Sequence, residues 1–102
     1  MPIRLSKNRV DHTLRVTIEG PFTFGLCRGF LDALDQCDAD VAAVVIDLER
    51  TDYIDSAAIG LLVQADIRLF GKDVVIRVRR GSPVDSALTV TNFKKQMTVE
   101  AA

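Results

Sequence analysis

The sequence has few of the residue types that build metal, disulfide and cofactor sites. Its 102 residues include no tryptophan, one histidine and two cysteines. His12, Cys27 and Cys37 are too few for a zinc site of the usual kind. The two cysteines fall on one predicted helix, roughly 15 Å apart along its axis, which is too far for a disulfide. With no glycine-rich phosphate loop either, we expect no cofactor, and free cysteines suit a reducing cytoplasm.

The sequence also lacks a strong charge of one sign and any long apolar run. Its 13 basic and 14 acidic residues give a net charge of -1. Without a basic field, direct binding to nucleic acid is not expected. The apolar runs are far shorter than the ~20 residues of a membrane span, and residues 1–11 do not resemble a secretory signal. We therefore expect a cytoplasmic protein with no membrane span.

Apolar residues are nevertheless plentiful. They make up 48% of the chain, and charged residues make up 26%, which is typical of an ordinary globular protein. A chain of this length fits one domain and leaves no room for two. We therefore predict a single domain that spans residues 1–102.

The first half of the chain predicts a hairpin followed by a helix. Residues 3–8 form a short strand pattern, and residues 12–19 alternate between apolar and polar side chains. Gly20-Pro21 interrupts this pattern. Residues 23–37 then change to helical spacing, with Thr23 as the candidate N-cap. The apolar stripe of this helix consists of Cys27, Phe30, Leu31 and Leu34.

The second half alternates strands and helices. Residues 41–48 are almost continuously apolar, as expected for a strand buried on both faces. A helix over 56–70, a strand over 73–78, a helix over 82–91 and a last short strand over 96–99 follow. The order β-β-α-β-α-β-α-β predicts an α/β domain. Its mixed sheet would open with a hairpin and carry three to four helices.

Asp55 and Ser56 lie where the central strand leads into the second helix. The ends of strands in α/β folds are common positions for sites, and the first N–H groups of a helix lack partners. One interpretation is helix capping, a common use of Asp and Ser that contributes ~1 kcal/mol. The other is a phosphorylatable serine, because a phosphate here would meet the positive end of the helix dipole and add a charge of ~-2.

The helix that follows Ser56 is apolar on two adjoining arcs rather than on one narrow stripe. The first arc contains Ala58, Leu61, Leu62, Ala65 and Leu69. The second arc contains Ile59, Val63, Ile67 and Phe70. The polar sector contains only Gly60, Gln64 and Arg68. Either neighbouring helices cover both arcs, or part of the apolar surface is exposed and forms a protein contact.

The start of this helix resembles a known signature. Residues 55–60 read Asp55-Ser56-Ala57-Ala58-Ile59-Gly60, which is similar to the D-S-S/T/A-G-L-G signature of STAS-family anti-sigma-factor antagonists. The preceding strand and loop, 44–48 and 53–55, also fit. So do the helical start after Gly20 and the ending from Ser82-Pro83-Val84 through Leu88 and Phe93, so the likeness covers nearly the whole chain. One departure is Ala58, which stands where the signature has glycine.

The resemblance implies a switch in a bacterial partner-switching system that regulates transcription. Ser56 would be phosphorylated by a serine kinase of the anti-sigma type and dephosphorylated by a serine phosphatase. The unphosphorylated form would bind the anti-sigma factor, and phosphorylation would release it. The expected partner surface consists of Tyr53, Ile54, Asp55, Ser56, Ala57, Ala58, Ile59, Leu62 and Gln64.

Three alternatives follow from other features. An enzyme is not expected, because His12 is the only histidine and no G-x-S-x-G elbow surrounds Ser56. A receiver domain would use Asp47 at the end of the central strand, but residues 8–11 lack the acidic pair that such a domain needs. A constitutive STAS subunit, for example of a lipid-transport ABC ATPase assembly, would use the Ser56 region as a permanent docking surface.

Overall fold

The fold is a mixed sheet covered by helices. The computed structural model describes residues 2–95 and 97–102, with Lys94 described without its side chain. Its elements, in chain order, are β1 Ile3–Asn8, β2 Thr13–Ile18, β3 Pro21–Phe22, α1 Cys27–Leu34, β4 Ala43–Asp47, β5 Tyr53–Ile54, α2 Ser56–Arg68, β6 Asp73–Val78, α3 Pro83–Val90 and β7 Thr98–Ala101.

The main sheet has five strands in the order β1-β2-β4-β6-β7. β1 and β2 form the antiparallel hairpin, and the remaining neighbours pair in parallel. This arrangement confirms the predicted α/β domain with an opening hairpin. β4 lies at the centre of the sheet, as its apolar sequence indicates, but it is not buried on both faces: Val44 and Ile46 are buried, whereas Ala43 and Val45 are half-buried.

The core lies on one face of the sheet. Leu14, Val16 and Ile18 of β2 are buried, as the alternation predicts, and so are Val44 and Ile46 of β4. The residues between them are mostly half-buried and polar. The helices therefore cover one face, while the other carries charged side chains in ion pairs such as Arg15–Asp47.

The first helix is shorter than predicted. A single 3-10 turn, Phe24–Leu26, precedes α1, and α1 ends at Leu34 rather than at residue 37. Thr23 has the extended backbone of an N-cap, but its side chain makes no capping hydrogen bond. The predicted apolar stripe is confirmed, because Phe30 and Leu34 are buried and the other two members are half-buried.

Two short strands form a second, parallel sheet that the sequence pattern does not predict. The sequence pattern predicts a break at Gly20-Pro21 and a loop over Glu49 to Ile54. In the structure the two short strands pair with each other, Pro21 opposite Tyr53 and Phe22 opposite Ile54. Two residues are too short for a periodic pattern. Their pairing brings the start of α1 beside the start of α2.

The remaining boundaries follow the local sequence signals. The hydroxyl of Ser82 accepts a hydrogen bond from the Asp85 N–H and caps α3. Gly71 and Asn92 have positive φ angles of 89° and 57° after the ends of α2 and α3. The last strand begins at Thr98, and Gln96 of the predicted strand lies outside the described residues. Within the described ranges, no helix has the length and apolar character of a membrane span.

Candidate functional site

Ser56 is the first residue of α2 and is exposed to solvent. It directly follows Asp55, which has extended backbone angles and occupies the N-cap position. Within the described part of the chain, the Ser56 hydroxyl has no hydrogen-bond partner. A partner protein could therefore reach this hydroxyl without breaking an existing contact.

Asp55 alone provides the cap of α2. Its Oδ1 accepts a hydrogen bond from the Ala58 N–H at 2.8 Å, and its Oδ2 accepts one from the Phe24 N–H at 3.1 Å. Of the two interpretations of the Asp55-Ser56 pair, helix capping thus applies to Asp55, and a phosphorylatable serine remains open for Ser56. Asp55 caps the helix, and the Ser56 side chain takes no part in capping.

Thr51 and Ser82 are two other hydroxyls in helix-capping or loop positions, and both are buried. Thr51 is 1% exposed, and its Oγ1 donates a hydrogen bond to the carbonyl oxygen of Ile18 at 2.8 Å. Ser82 is 3% exposed and caps α3. A kinase could reach either residue only after local unfolding. Ser56 is therefore the accessible hydroxyl of the three.

The predicted partner surface separates into exposed and buried residues. Tyr53, Ser56, Ala57 and Gln64 are exposed, and Asp55 and Ile59 are half-buried. The side chains of Ile54, Ala58 and Leu62 are at most 8% exposed and belong to the core. These three side chains pack beneath the exposed residues and are not themselves available to a partner.

Phe24 is a residue of this region that sequence reasoning missed. It is 59% exposed, and its backbone N–H is bound to Asp55. Together with Cys27 it borders a groove of about 220 Å³, whose other side is formed by Ala57, Gly60, Leu61 and Gln64 of α2. No local signal could have placed Phe24 here, because the β3–β5 pairing that positions it is tertiary.

Of the four residues in the predicted second apolar arc, Ile59 is half-buried and the other three are exposed, with Phe70 just after the end of α2. Val63, Ile67 and Phe70 are 36%, 68% and 93% exposed, whereas every residue of the first arc is buried. The polar sector faces α1, since Arg68 Nη1 lies 3.3 Å from Asp35 Oδ1. Among the described residues, neighbouring helices therefore do not cover both arcs. Neighbouring exposed apolar side chains of this kind are typical of a protein contact.

Asp47 has a structural role in the described structure. It is 7% exposed, its Oδ2 lies 2.6 Å from Arg15 Nη2, and its Oδ1 accepts a hydrogen bond from the Glu49 N–H. A phosphoacceptor aspartate needs free oxygens beside a metal site. Both oxygens of Asp47 are instead occupied by neighbours within the chain.

Comparison with known proteins gives the family. A family model described as "Mlab, STAS domain" matches residues 5–98. A STAS-domain containing protein of Pseudomonas aeruginosa (strain UCBPP-PA14) is 31% identical over 83 residues, which cover 80% of this chain and 82% of the relative. The chain belongs to the STAS-domain family.

The fold is shared with solved anti-sigma factor antagonists. One from Mycobacterium paratuberculosis superimposes with a TM-score of 0.83 at 17% identity, covering 96% of this chain and 83% of that one. The antagonist SpoIIAA in its unphosphorylated form gives a TM-score of 0.69 at 16% identity, covering 98% and 88%. At this level of identity the likeness shows the SpoIIAA-like fold.

Proposed function

We propose that this protein is an anti-sigma-factor antagonist in a partner-switching system that regulates transcription in the cytoplasm. Its unphosphorylated form binds an anti-sigma factor of the serine kinase type, and phosphorylation of Ser56 releases that partner. The observation that carries the proposal is the accessible Ser56 hydroxyl beside Asp55, which caps the helix in its place.

The position of Ser56 explains how a phosphate could be added without unfolding the helix and still change partner binding. At the first turn of α2, the helix dipole stabilises added negative charge by about 0.3–1 kcal/mol, so phosphorylation need not disturb the fold. The same phosphate adds a charge of about -1.5 to -2 to a surface that includes neutral Tyr53, Ala57 and Gln64. A partner that packs against this surface would then meet a solvated dianion and dissociate.

The chemistry of the switch belongs to its partners. Phosphoryl transfer needs bound nucleotide, metal ions and a residue that orients the nucleophile, and a kinase supplies all of these. The protein contributes an exposed hydroxyl on a rigid helix start. A serine phosphatase would reverse the modification at the same exposed position.

The only histidine, His12, lies far from Ser56, which favours a binding module over an enzyme. The His12 carbonyl accepts hydrogen bonds from the N–H groups of Ala42 and Ala43 at the start of β4, whereas Ser56 comes after the end of β4. Five residues of strand separate these two ends of the sheet by roughly 15 Å. His12 is therefore not placed to activate the Ser56 hydroxyl.

A second candidate is a constitutive subunit of a larger assembly, such as a lipid-transport ABC ATPase complex. The exposed apolar arc of Val63, Ile67 and Phe70 favours it. Permanent interfaces are more apolar than transient ones, so a strip of this kind suits a partner that stays bound. In this case Ser56 would belong to a docking surface that is not switched.

Mass analysis of the protein from its host cells distinguishes the two candidates. We expect a phosphate, which adds ~80 Da, on the wild type, mapped by phosphopeptide analysis to Ser56 and missing from a Ser56→Ala control. If no phosphate is found under any growth condition, the switch is rejected. A stable complex with an ATPase in a pulldown would then support the constitutive subunit.

A further inference from the structure

β1 presents an unpaired edge of the sheet. It lies at the end of the strand order and, among residues 2–95 and 97–102, pairs only with β2. The carbonyl of Pro2 accepts a hydrogen bond from the Glu19 N–H at 2.8 Å. Antiparallel partners alternate between bonded and non-bonded pairs, so every second residue from Pro2 bonds to β2. The residues between them, Ile3, Leu5 and Lys7, direct their N–H and C=O groups outward.

An apolar groove follows this edge. Its volume is about 390 Å³, and it lies between β1 and α1. The side chains that line it include Ile3, Leu5, Leu26, Asp32 and Ala33. Leu5 is 44% exposed although it is in the middle of a strand. An added β-strand would form hydrogen bonds with the outward backbone groups and place its alternate side chains in the apolar groove.

We propose that the strand added at this edge is β1 of a second copy of the chain. The two β1 strands would pair antiparallel about a two-fold axis and join two five-stranded sheets into one continuous sheet. This proposal does not rest on the function proposed for Ser56.

The two-fold axis restricts the register of this pairing. Only outward-facing residues can bond to outward-facing residues. With the axis at Leu5, Leu5 lies opposite its own copy and Ile3 lies opposite Lys7 of the second copy, so all outward residues of β1 pair. An axis at Arg4 would place two arginines directly opposite each other, which is destabilising. An axis at Ser6 would leave Ile3 without a partner in the strand.

Charge complementarity supports the same register. Ile3 packs against α1 at Gly29, where a Cβ would lie 3.1 Å from Ile3 Cδ1. Asp32 is one helical turn further along α1, borders the same groove and forms no salt bridge within the described residues. Lys7 of the second copy, opposite Ile3, would therefore approach this carboxylate. The symmetry repeats the contact on the other side of the axis.

Lys7 is able to make this contact. Its Nζ lies 2.8 Å from Asp38 Oδ2 in its own chain, and its side chain is 35% exposed. A lysine ammonium has three donors, so one hydrogen bond to Asp38 leaves others for Asp32 of the second copy. The dimer would also bury Leu5 and remove the unpaired edge, which in a monomer is a template for aggregation.

Sedimentation equilibrium of the full chain over a wide concentration range tests the proposal. We expect a concentration-dependent dimer, and Leu5→Glu should weaken dimerisation at least ~10-fold by placing two carboxylates opposite each other. The matched control is Phe70→Glu, which changes a 93% exposed apolar residue just after α2 and should leave the dimer intact. A wild type that is monomeric throughout would overturn the proposal. A dimer lost in Phe70→Glu and kept in Leu5→Glu would also overturn it.

A charge exchange provides a test that does not depend on Leu5. Asp32→Lys alters an exposed helix residue, so the fold should be retained, and we expect it to weaken the dimer several-fold by facing Lys7 of the second copy. Adding Lys7→Glu in the same chain should restore dimerisation. Failure of the double variant to regain affinity over Asp32→Lys would reject the proposed register.

Discussion

The carboxylate of Asp55 accepts a hydrogen bond from the backbone N–H of Phe24, which lies 31 residues earlier, with 3.1 Å between Oδ2 and N. Its second oxygen accepts from the Ala58 N–H at 2.8 Å. One side chain thus fixes the start of α2 and the turn that leads into α1. Because Asp55 caps α2, the Ser56 hydroxyl is left accessible.

Asp55→Asn should separate the two contacts. An amide has one acceptor oxygen, so it can keep the cap on Ala58 but would present an NH₂ donor to the Phe24 N–H. We expect a loss of about 1 kcal/mol in the free energy of unfolding, measured by urea denaturation. Hydrogen exchange should become faster at the Phe24 amide, while the Ala58 amide remains protected.

Asp55→Ala is the comparison variant, because it removes both acceptors. We expect it to cost more than Asp55→Asn, about 2 kcal/mol in all, and to expose both amides to exchange. If the two variants were equally stable, or if exchange at Phe24 were unchanged in both, the carboxylate would not tie the two helix starts together.

The long amphipathic elements could be predicted from the sequence, because each carries its own periodic pattern. The strands Ile3–Asn8 and Asp73–Val78 were predicted with the bounds that the structure has. The short strands Pro21–Phe22 and Tyr53–Ile54 could not be predicted, since each is stable only through the other. α1 was predicted too long at both ends because helical spacing does not distinguish a 3-10 turn from a helix.

The candidate site could be predicted in part. The sequence of Asp55 and Ser56 indicates a helix start, but only the structure shows that Asp55 is the capping residue. The side chain of Leu62 was assigned to the partner surface and lies in the core, because two adjoining apolar arcs do not reveal which one faces the sheet. Phe24 was missed because its position depends on pairing between distant segments.

Swapping alanine and glycine at positions 58 and 60 should change the free energy of unfolding in opposite directions. The Ala58 side chain is 0% exposed, so Ala58→Gly loses a buried methyl and helix propensity, about 1–2 kcal/mol together. A Cβ added at Gly60 meets nothing within 4 Å, so Gly60→Ala should stabilise by about 0.5–1 kcal/mol. Thermal unfolding of the two variants measures both changes. A stabilising Ala58→Gly would show that the signature glycine is preferred in this chain too.

Substitutions at Ser56 should show whether partner binding depends on the charge at this position or on the shape of the side chain. Ser56→Asp adds negative charge at the first turn of α2, where the helix dipole favours it, so we expect no loss of stability. Its affinity for the anti-sigma partner should fall at least ~10-fold in calorimetric titration, because the charge lies on the proposed docking surface. Ser56→Ala should keep the affinity of the wild type. Equal affinity of all three proteins would argue against a charge switch.

The exposed arc of α2 should matter for binding and little for stability. Ile67 is 68% exposed, so Ile67→Ser should change the free energy of unfolding by no more than about 0.5 kcal/mol while weakening the partner complex. Leu62→Ala is the opposite case: its side chain is 0% exposed, and we expect a cost of about 2–5 kcal/mol. Val90→Ser on α3, 81% exposed, is the control for nonspecific loss of apolar surface. An equal loss of binding for Ile67→Ser and Val90→Ser would exclude a specific role of the arc.

The ion pair between Lys7 and Asp38 should make part of the stability depend on pH. The hydrogen bond from Lys7 is the main cause that lowers the pKa of Asp38, and the Asp40 N–H, which donates to its other oxygen, lowers it further. A carboxyl group with a lowered pKa stabilises the fold fully above its unfolded pKa of about 3.9. That contribution is lost as the pH falls through the lower pKa of the folded state.

Lys7→Met tests this linkage. The pKa of Asp38, followed by NMR at a concentration where the chain is monomeric, should rise towards its ordinary value. The wild type should be more stable than the variant at neutral pH, and the difference should shrink as the pH falls below about 3.9. A difference in stability that stays constant through this range would mean that Lys7 acts by packing its aliphatic stem against the loop after α1. The charge of Asp38 would then contribute nothing to holding that loop at the edge of the sheet.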